Sequence, residues 1–392
     1  MNRKSLIILG ISTWVIIVLA FVLNQQASVD EEFGTDQLLF TALKSKLAEV
    51  GKIELRTSGD NLAVELLRKD GKWVVANRFD YPADFKQVDT MINDLAEAKL
   101  IEAKTKNPDN YERLGVGDIS DATSAAIKVD VYFENQDQPL SVLVGNSPAS
   151  QTGRYIRKPQ EPQTWLIDKT VDVESNPKSW LAKSIVDLPI NRIKRIQIKQ
   201  NDQPQLEIFK AKAEDVNFTV ANIPEGRELT YDAVANVVGN SLSNVTHEDV
   251  LPRSQFEFSP DQFQAEYETF DGLVLSVKTQ AKDDQYFMTV AARFEPSAVS
   301  AANSAEVDNA PAASTTNSEQ STSEQSTSEQ SADASTSAAS DTDNATANPQ
   351  AEVETINART AQWVYEISQY TYNSITKKTE DLLKKPPETT SE

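Results

Sequence analysis

Apolar and polar residues alternate with period two in short runs over much of the chain, and the first three runs are followed by a stretch at helical spacing. Lys52-Ile53-Glu54-Leu55 and Leu62-Ala63-Val64-Glu65-Leu66 read as half-buried strands, and Lys72-Trp73-Val74-Val75-Ala76-Asn77 as a third. Phe85, Val88, Met91, Ile92 and Leu95 then recur as one face of an amphipathic helix. Ile127 to Glu134 and Leu140 to Val144 follow as hairpin-like runs, and Thr164-Trp165-Leu166-Ile167-Asp168 as a last strand.

The same order returns at an offset near 145 residues. Ile196-Gln197-Ile198 and Leu206-Glu207-Ile208 stand for the first strand pair, and Asn217-Phe218-Thr219-Val220-Ala221-Asn222 for the third strand. Tyr231, Val234, Val237, Val238 and Leu242 predict a second helix. Phe263 to Phe270 with Leu273 to Thr279, and finally Gln362-Trp363-Val364-Tyr365-Glu366, complete the repeat. One matched element arises by chance, but five in one order argue for an internal duplication.

Two segments break the alternation. Leu6 to Leu23 is uncharged, and eighteen residues at helical rise span about 27 Å, close to the hydrocarbon thickness of a bilayer. Arg3 and Lys4 precede it while Asp30, Glu31, Glu32 and Asp36 follow, so the positive-inside tendency keeps the N-terminus cytoplasmic. Gln25 stands where a signal peptidase wants a small residue, which favours an uncleaved anchor. The second segment, Glu295 to Thr355, is rich in Ser, Thr, Ala, Glu, Gln and Asn and repeats STSEQ at 321–325 and 326–330. Such composition cannot bury a core, so it reads as a disordered surface loop, enlarged from Asn146 to Gln163 of the first copy. Beyond Trp363, Tyr372, Ile375, Leu382 and Leu383 predict one closing helix with interleaved lysines.

The expected architecture is α+β: residues 1–30 as stub and transmembrane anchor, 31–190 as a first module, 191–294 with 356–386 as a second, and 295–355 as the insertion. Each module is expected to be a mainly antiparallel sheet with a packed helix. The net charge of −21 falls to about −10 once Glu295 to Asn357 is set aside, leaving 48 acidic against 38 basic residues. That balance argues against sequence-independent nucleic-acid binding, which needs a basic stripe.

Chemistry-bearing residues are few. The chain has no cysteine, which excludes disulfides, thiolate metal sites and cysteine nucleophiles. His247 is the single histidine and sits in Thr246-His247-Glu248-Asp249, where a structural role outweighs a catalytic one. Asp80, Asp84 and Asp89, or Asp283 and Asp284, are candidate acid pairs for glycoside hydrolysis if their separation is right, but they lack calcium-loop spacing. Leu114-Gly115-Val116-Gly117-Asp118 reads as a turn, and Trp73, Trp165, Trp180 and Trp363 as core rather than sugar platforms. No catalytic, cofactor-binding or metal residue is therefore assigned.

Lys69-Asp70-Gly71-Lys72-Trp73, Tyr111-Glu112-Arg113-Leu114-Gly115-Val116, Val144-Gly145 with Tyr155-Ile156, and Trp180 to Ile196 with Asp187-Leu188-Pro189 together resemble the domain-of-unknown-function family 4340. The resemblance implies a membrane-anchored envelope protein, of a kind often encoded beside ABC-type exporter permeases and a gliding-motility-type auxiliary protein. The Tyr111 stretch is a variant of that family's Tyr-Gly-Leu turn. The expected function is a non-catalytic periplasmic accessory subunit of an ABC-type exporter or related envelope complex, single-pass in a bacterial inner membrane. Its expected partners are membrane lipid through residues 6–23, a multi-span permease and auxiliary envelope proteins. The rival expectations are an envelope glycan-binding scaffold and a carboxylate-dependent glycan hydrolase.

Overall fold

The computed structural model describes residues 37–296 and 348–385; the anchor predicted at 6–23 and most of the predicted insertion lie outside the described residues. No described helix is long and apolar enough to cross a membrane. The chain forms two compact units that divide between Ala182 and Lys183, eight residues before the boundary expected at 190. Both are α+β, built on antiparallel sheets with few helices.

Unit 1 contains α1 (Thr41–Ser45), β1 (Val50–Thr57), β2 (Asn61–Lys69), β3 (Lys72–Val75), β4 (Tyr81–Pro82), α2 (Phe85–Glu97), β5 (Leu100–Ala103), α3 (Tyr111–Leu114), β6 (Ile127–Phe133), β7 (Leu140–Val144), β8 (Arg154–Arg157) and β9 (Thr164–Ile167). Its sheet runs β4-β3-β2-β1-β6-β7-β8-β9-β5. Helix α2 starts because Asp84 accepts the Gln87 N–H and satisfies an otherwise orphaned donor. Val88, Met91, Ile92 and Leu95 are buried as their spacing predicts, whereas Phe85 at the first turn is exposed. Ile53, Leu55, Val64, Leu66, Val129 and Val131 supply the sheet side of the core.

Unit 2 contains β10 (Ser184–Val186), β11 (Ile193–Gln200), β12 (Gln203–Phe209), β13 (Thr219–Val220), α4 (Asn236–Gly239), β14 (Val245–Thr246), β15 (Asp249–Pro252), β16 (Phe263–Thr269), β17 (Leu273–Lys282), β18 (Gln285–Phe294), α5 (Pro349–Thr360), β19 (Trp363–Ile367), α6 (Gln369–Ile375) and α7 (Thr379–Leu382). Its main sheet runs β13-β12-β11-β16-β17-β18-β19-β15, which is the order of unit 1, strand for strand, without a counterpart of β4. The tails of the two units match to the level of single hydrogen bonds. Leu181 bridges Ala83, with Asp84 N–H donating to Trp180 O and Ala182 N–H to Pro82 O. Leu383 bridges Leu229 in the same way, with Thr230 N–H donating to Leu382 O and Lys384 N–H to Glu228 O. This shared clasp is why unit 1 ends at Ala182: the module includes its tail, and the next begins at once.

Four expectations are corrected. The helix expected from Tyr231 to Leu242 shrinks to the four residues of α4, with Tyr231 and Val237 exposed. Three valines, two asparagines, a glycine and a serine there are poor helix formers, and the flanks close mostly through i to i+3 bonds such as Val234 N–H to Tyr231 O. The single closing helix is two, α6 and α7. Asn146 to Gln163 is not one loop, because β8 lies inside it. The insertion is shorter than 295–355 at its end, since α5 begins at Pro349 with Asn348 capping the Gln350 N–H.

Helix α5 has a defined task. β19 pairs with β18 only at Tyr286 to Met288, leaving the rest of that strand edge open. Asn357 accepts the Ala292 N–H at 2.8 Å and donates to the Ala292 carbonyl at 2.8 Å, so a side-chain amide stands in for the missing strand. Arg192 pins the same helix through a bidentate pair with Glu352 at 2.9 and 2.8 Å.

Candidate functional site

Among the described residues, two of the places where polar side chains gather bear on function. The first is a row across the sheet face opposite the core. Period two puts Glu54 on the other side of β1 from Ile53 and Leu55, and register places it opposite Glu65 on β2 and Asp130 on β6, with Ser141 next on β7. In unit 2 the same positions carry Glu207, Gln197, Glu266 and Ser276. The row was not recognisable by composition, but comparing the two copies strand by strand would have found it.

Glu54 and Asp130 are 5% and 1% exposed, yet both are saturated with partners. Glu54 accepts from Lys52 at 2.7 Å and Arg56 at 2.9 Å; Asp130 takes Lys128 at 2.9 Å and the Ser141 hydroxyl at 2.5 Å. Burial pushes the Glu54 carboxyl up, but the hydrogen bonds from Lys52 and Arg56 outweigh it and hold the group below the usual carboxylate range. A glycosidase general acid needs the opposite shift. In unit 2 Gln197 removes one of the two acids, and Arg293 bonds both Glu266 and the Ser276 hydroxyl. The row is therefore a closed ion-pair ladder, suited to holding strands in register.

The second place is a cavity of about 510 Å³ in unit 1, within the size range of small-ligand sites. Lys104, Asn110, Arg113, Asn146, Ser147 and Tyr155 are among its lining residues, and no carboxylate is. The turn that carries Arg113 is built with care. Thr105 and Thr164 exchange bonds at 2.9 Å, Asn107 caps the following turn through the Asp109 N–H, and the Tyr111 hydroxyl donates to Pro162 O at 2.6 Å. Gly115 then ends α3 at φ +71°, and Gly145 lets the β7 end lie against it, since a Cβ there would strike the Leu114 carbonyl.

Arg157, 3% exposed, locks this wall from behind. Its guanidinium donates to Val116 O at 3.0 Å and to Asp118 at 2.5 Å, and stacks 4.5 Å from the Tyr111 ring centroid. On the cavity side Lys104 pairs with Glu102 at 2.5 Å and lies 5.9 Å from the Tyr155 ring. Arg113 is exposed and has no ion-pair or hydrogen-bond partner for its side chain among the described residues.

The residues singled out from the sequence are scattered. Asp84 is the α2 cap, and Asp80 pairs with Lys69. Asp283 and Asp284, at φ +51° and +62°, form the two-residue turn between β17 and β18. His247 is buried with its ring 5.4 Å from Tyr365. Trp73, Trp165 and Trp180 are buried as expected, whereas Trp363 is only half-buried, and Gly115 sits in a turn as expected. Among the described residues, no three His, Cys, Asp or Glu side chains gather as a metal site would require.

The family model described as a domain of unknown function (DUF4340) matches residues 73–269, half of the chain. The chain belongs to this family. The DUF4340 match runs from Trp73 on β3 to Thr269 at the end of β16, so it takes in the cavity and crosses the boundary between the units. No curated protein and no solved structure matches the chain.

Proposed function

We propose that this DUF4340 member is a non-catalytic, membrane-anchored accessory subunit of an ABC-type exporter or related envelope complex, with its two units on the outer face of a bacterial inner membrane. The observation that supports it is the employment of the buried acids: Glu54 and Asp130 are neutralised in a cross-strand ladder, so the sheets serve as rigid frames. The apolar run at 6–23 supplies the anchor, and one span with no nucleotide-binding loop cannot itself drive transport.

Mild-detergent affinity purification of the full-length protein from its native membrane tests this reading. Co-purification of a multi-span permease and its ATPase, identified by mass spectrometry, is expected. Recovery of the chain alone would remove a stable complex. A second reading, an envelope glycan-binding scaffold, is favoured by the cavity of unit 1; the hydrolase reading loses support from the depressed Glu54.

A further inference from the structure

We infer that the unit 1 cavity binds an acidic sugar, taking its carboxylate or phosphate on Arg113 and Lys104 and its hydroxyls on the surrounding amides and hydroxyls. Three observations carry this. The chain has 59 acidic residues against 38 basic ones, and of the arginines without an ion pair among the described residues, which include Arg68, Arg154, Arg253 and Arg359, Arg113 is the one that lines this cavity, where no acid does. An unpaired guanidinium is a fork for an oxyanion, and Lys104, which already holds Glu102, adds a second cation to the same lining.

The remaining lining suits a sugar ring. Asn110 and Asn146 each offer an amide donor and acceptor, Ser147 a hydroxyl, and Tyr155 a part-exposed aromatic face with its own hydroxyl free of protein hydrogen bonds among the described residues. Neighbouring hydroxyls on a sugar are read by such paired donors and acceptors. The third observation comes from the duplication. In unit 2 the connection equivalent to Asn146–Gly153 is the two-residue turn at Asp283-Asp284, which leaves no wall for a cavity, so the site is something that unit 1 has and its copy lacks.

The inference does not rest on the accessory-subunit reading; a purification that recovers no permease leaves it standing. The test is calorimetric titration of the full-length protein in detergent with trigalacturonate, glucose 6-phosphate, maltotriose and trialanine. Binding of trigalacturonate or glucose 6-phosphate, but not of maltotriose or trialanine, is expected, and which of the two binds tells a carboxylate from a phosphate source. Arg113→Gln should weaken that binding about ten- to a hundredfold, the loss of one charge-assisted contact. Because Arg113 holds nothing in the fold, its melting curve should not move; if it does, Lys104→Gln repeats the measurement. Equal binding of maltotriose, binding of trialanine as strong as that of the sugar acids, an unchanged affinity in the variants, or no binding of either anionic probe would each overturn the assignment.

Discussion

Unit 1 and unit 2 share a strand order and a tail clasp, but they differ in which connection is long. Unit 1 lengthens β5–β6 and β7–β8 and turns the gain into a walled cavity backed by a buried arginine. Unit 2 closes β17 and β18 with a two-residue turn, extends both strands to ten residues, and lengthens β18–β19 instead. The lesson is that the frame tolerates change at its connections because the clasp and the ladder do not depend on them. Loop-closure entropy, growing only with the logarithm of length, makes either choice inexpensive.

The strongest way to break the likeness is through the clasp. Trp180→Ala removes a fully buried indole that donates to Glu174 O and should cost about 4 kcal/mol, seen as a lowered denaturation midpoint. Leu382→Ala, at the matching place in unit 2, should cost about 3 kcal/mol by the same readout. A clasp that was mere contact would leave both near zero.

Next in size is Arg157→Met, which touches unit 1 alone. It leaves the Val116 carbonyl and Asp118 without their donor and should destabilise by roughly 3 kcal/mol, with a larger rise in hydrogen exchange around Gly115 than anywhere in unit 2. Asn357→Ala is the reciprocal probe of unit 2. Loss of both bonds to Ala292 should cost about 2 kcal/mol and expose the Ala292 amide to exchange.

A pH titration sharpens the contrast further. Glu54 is held below the ordinary carboxylate range, so it stabilises the fold above its unfolded-state value of about 4.3 and loses that contribution as pH falls through its lower folded value. Glu54→Gln, which gives unit 1 the residue type that unit 2 has at Gln197, should flatten the acid limb of unfolding without steepening the alkaline one. An unaltered acid limb would show that the ladder carries no linked proton. The smallest effect is expected from deleting residues 305–329: because loop-closure entropy grows with the logarithm of length, roughly halving this connection should shift stability by only about 0.6 kcal/mol.

Much of the frame is legible in the sequence, because core strands and the face of α2 carry strict periods. The duplication was legible for the same reason. The strands that escaped notice are instructive. β5 and β15 are short edge strands, and β8 is four residues hidden among turn formers. Asp283-Asp284 between two apolar runs announces β18, because the same two residues that read as an acid pair are also a hairpin-turn signal. Helix α4 is shorter than its spacing predicts because valine and asparagine can keep the period and still not sustain a helix. The cavity had no pattern to be read, since its lining comes from residues 104 to 155 brought together by three turns. The Tyr111–Val116 and Tyr155-Ile156 stretches contribute lining residues but stand out in the sequence only through the family resemblance, and what the first reveals locally is a turn.

The position of the long connection also sets an order of events. Unit 1 holds every strand and its clasp by residue 182, so a chain emerging from its N-terminus can complete that unit while the rest is still unmade. Unit 2 cannot: β15 at 249–252 waits for β19 at 363–367, and the β18 edge waits for Asn357. Until those last residues arrive, unit 2 presents bare strand edges to whatever is nearby. A chain cut short before Asn357 would therefore carry a finished first unit and a second unit primed for aggregation.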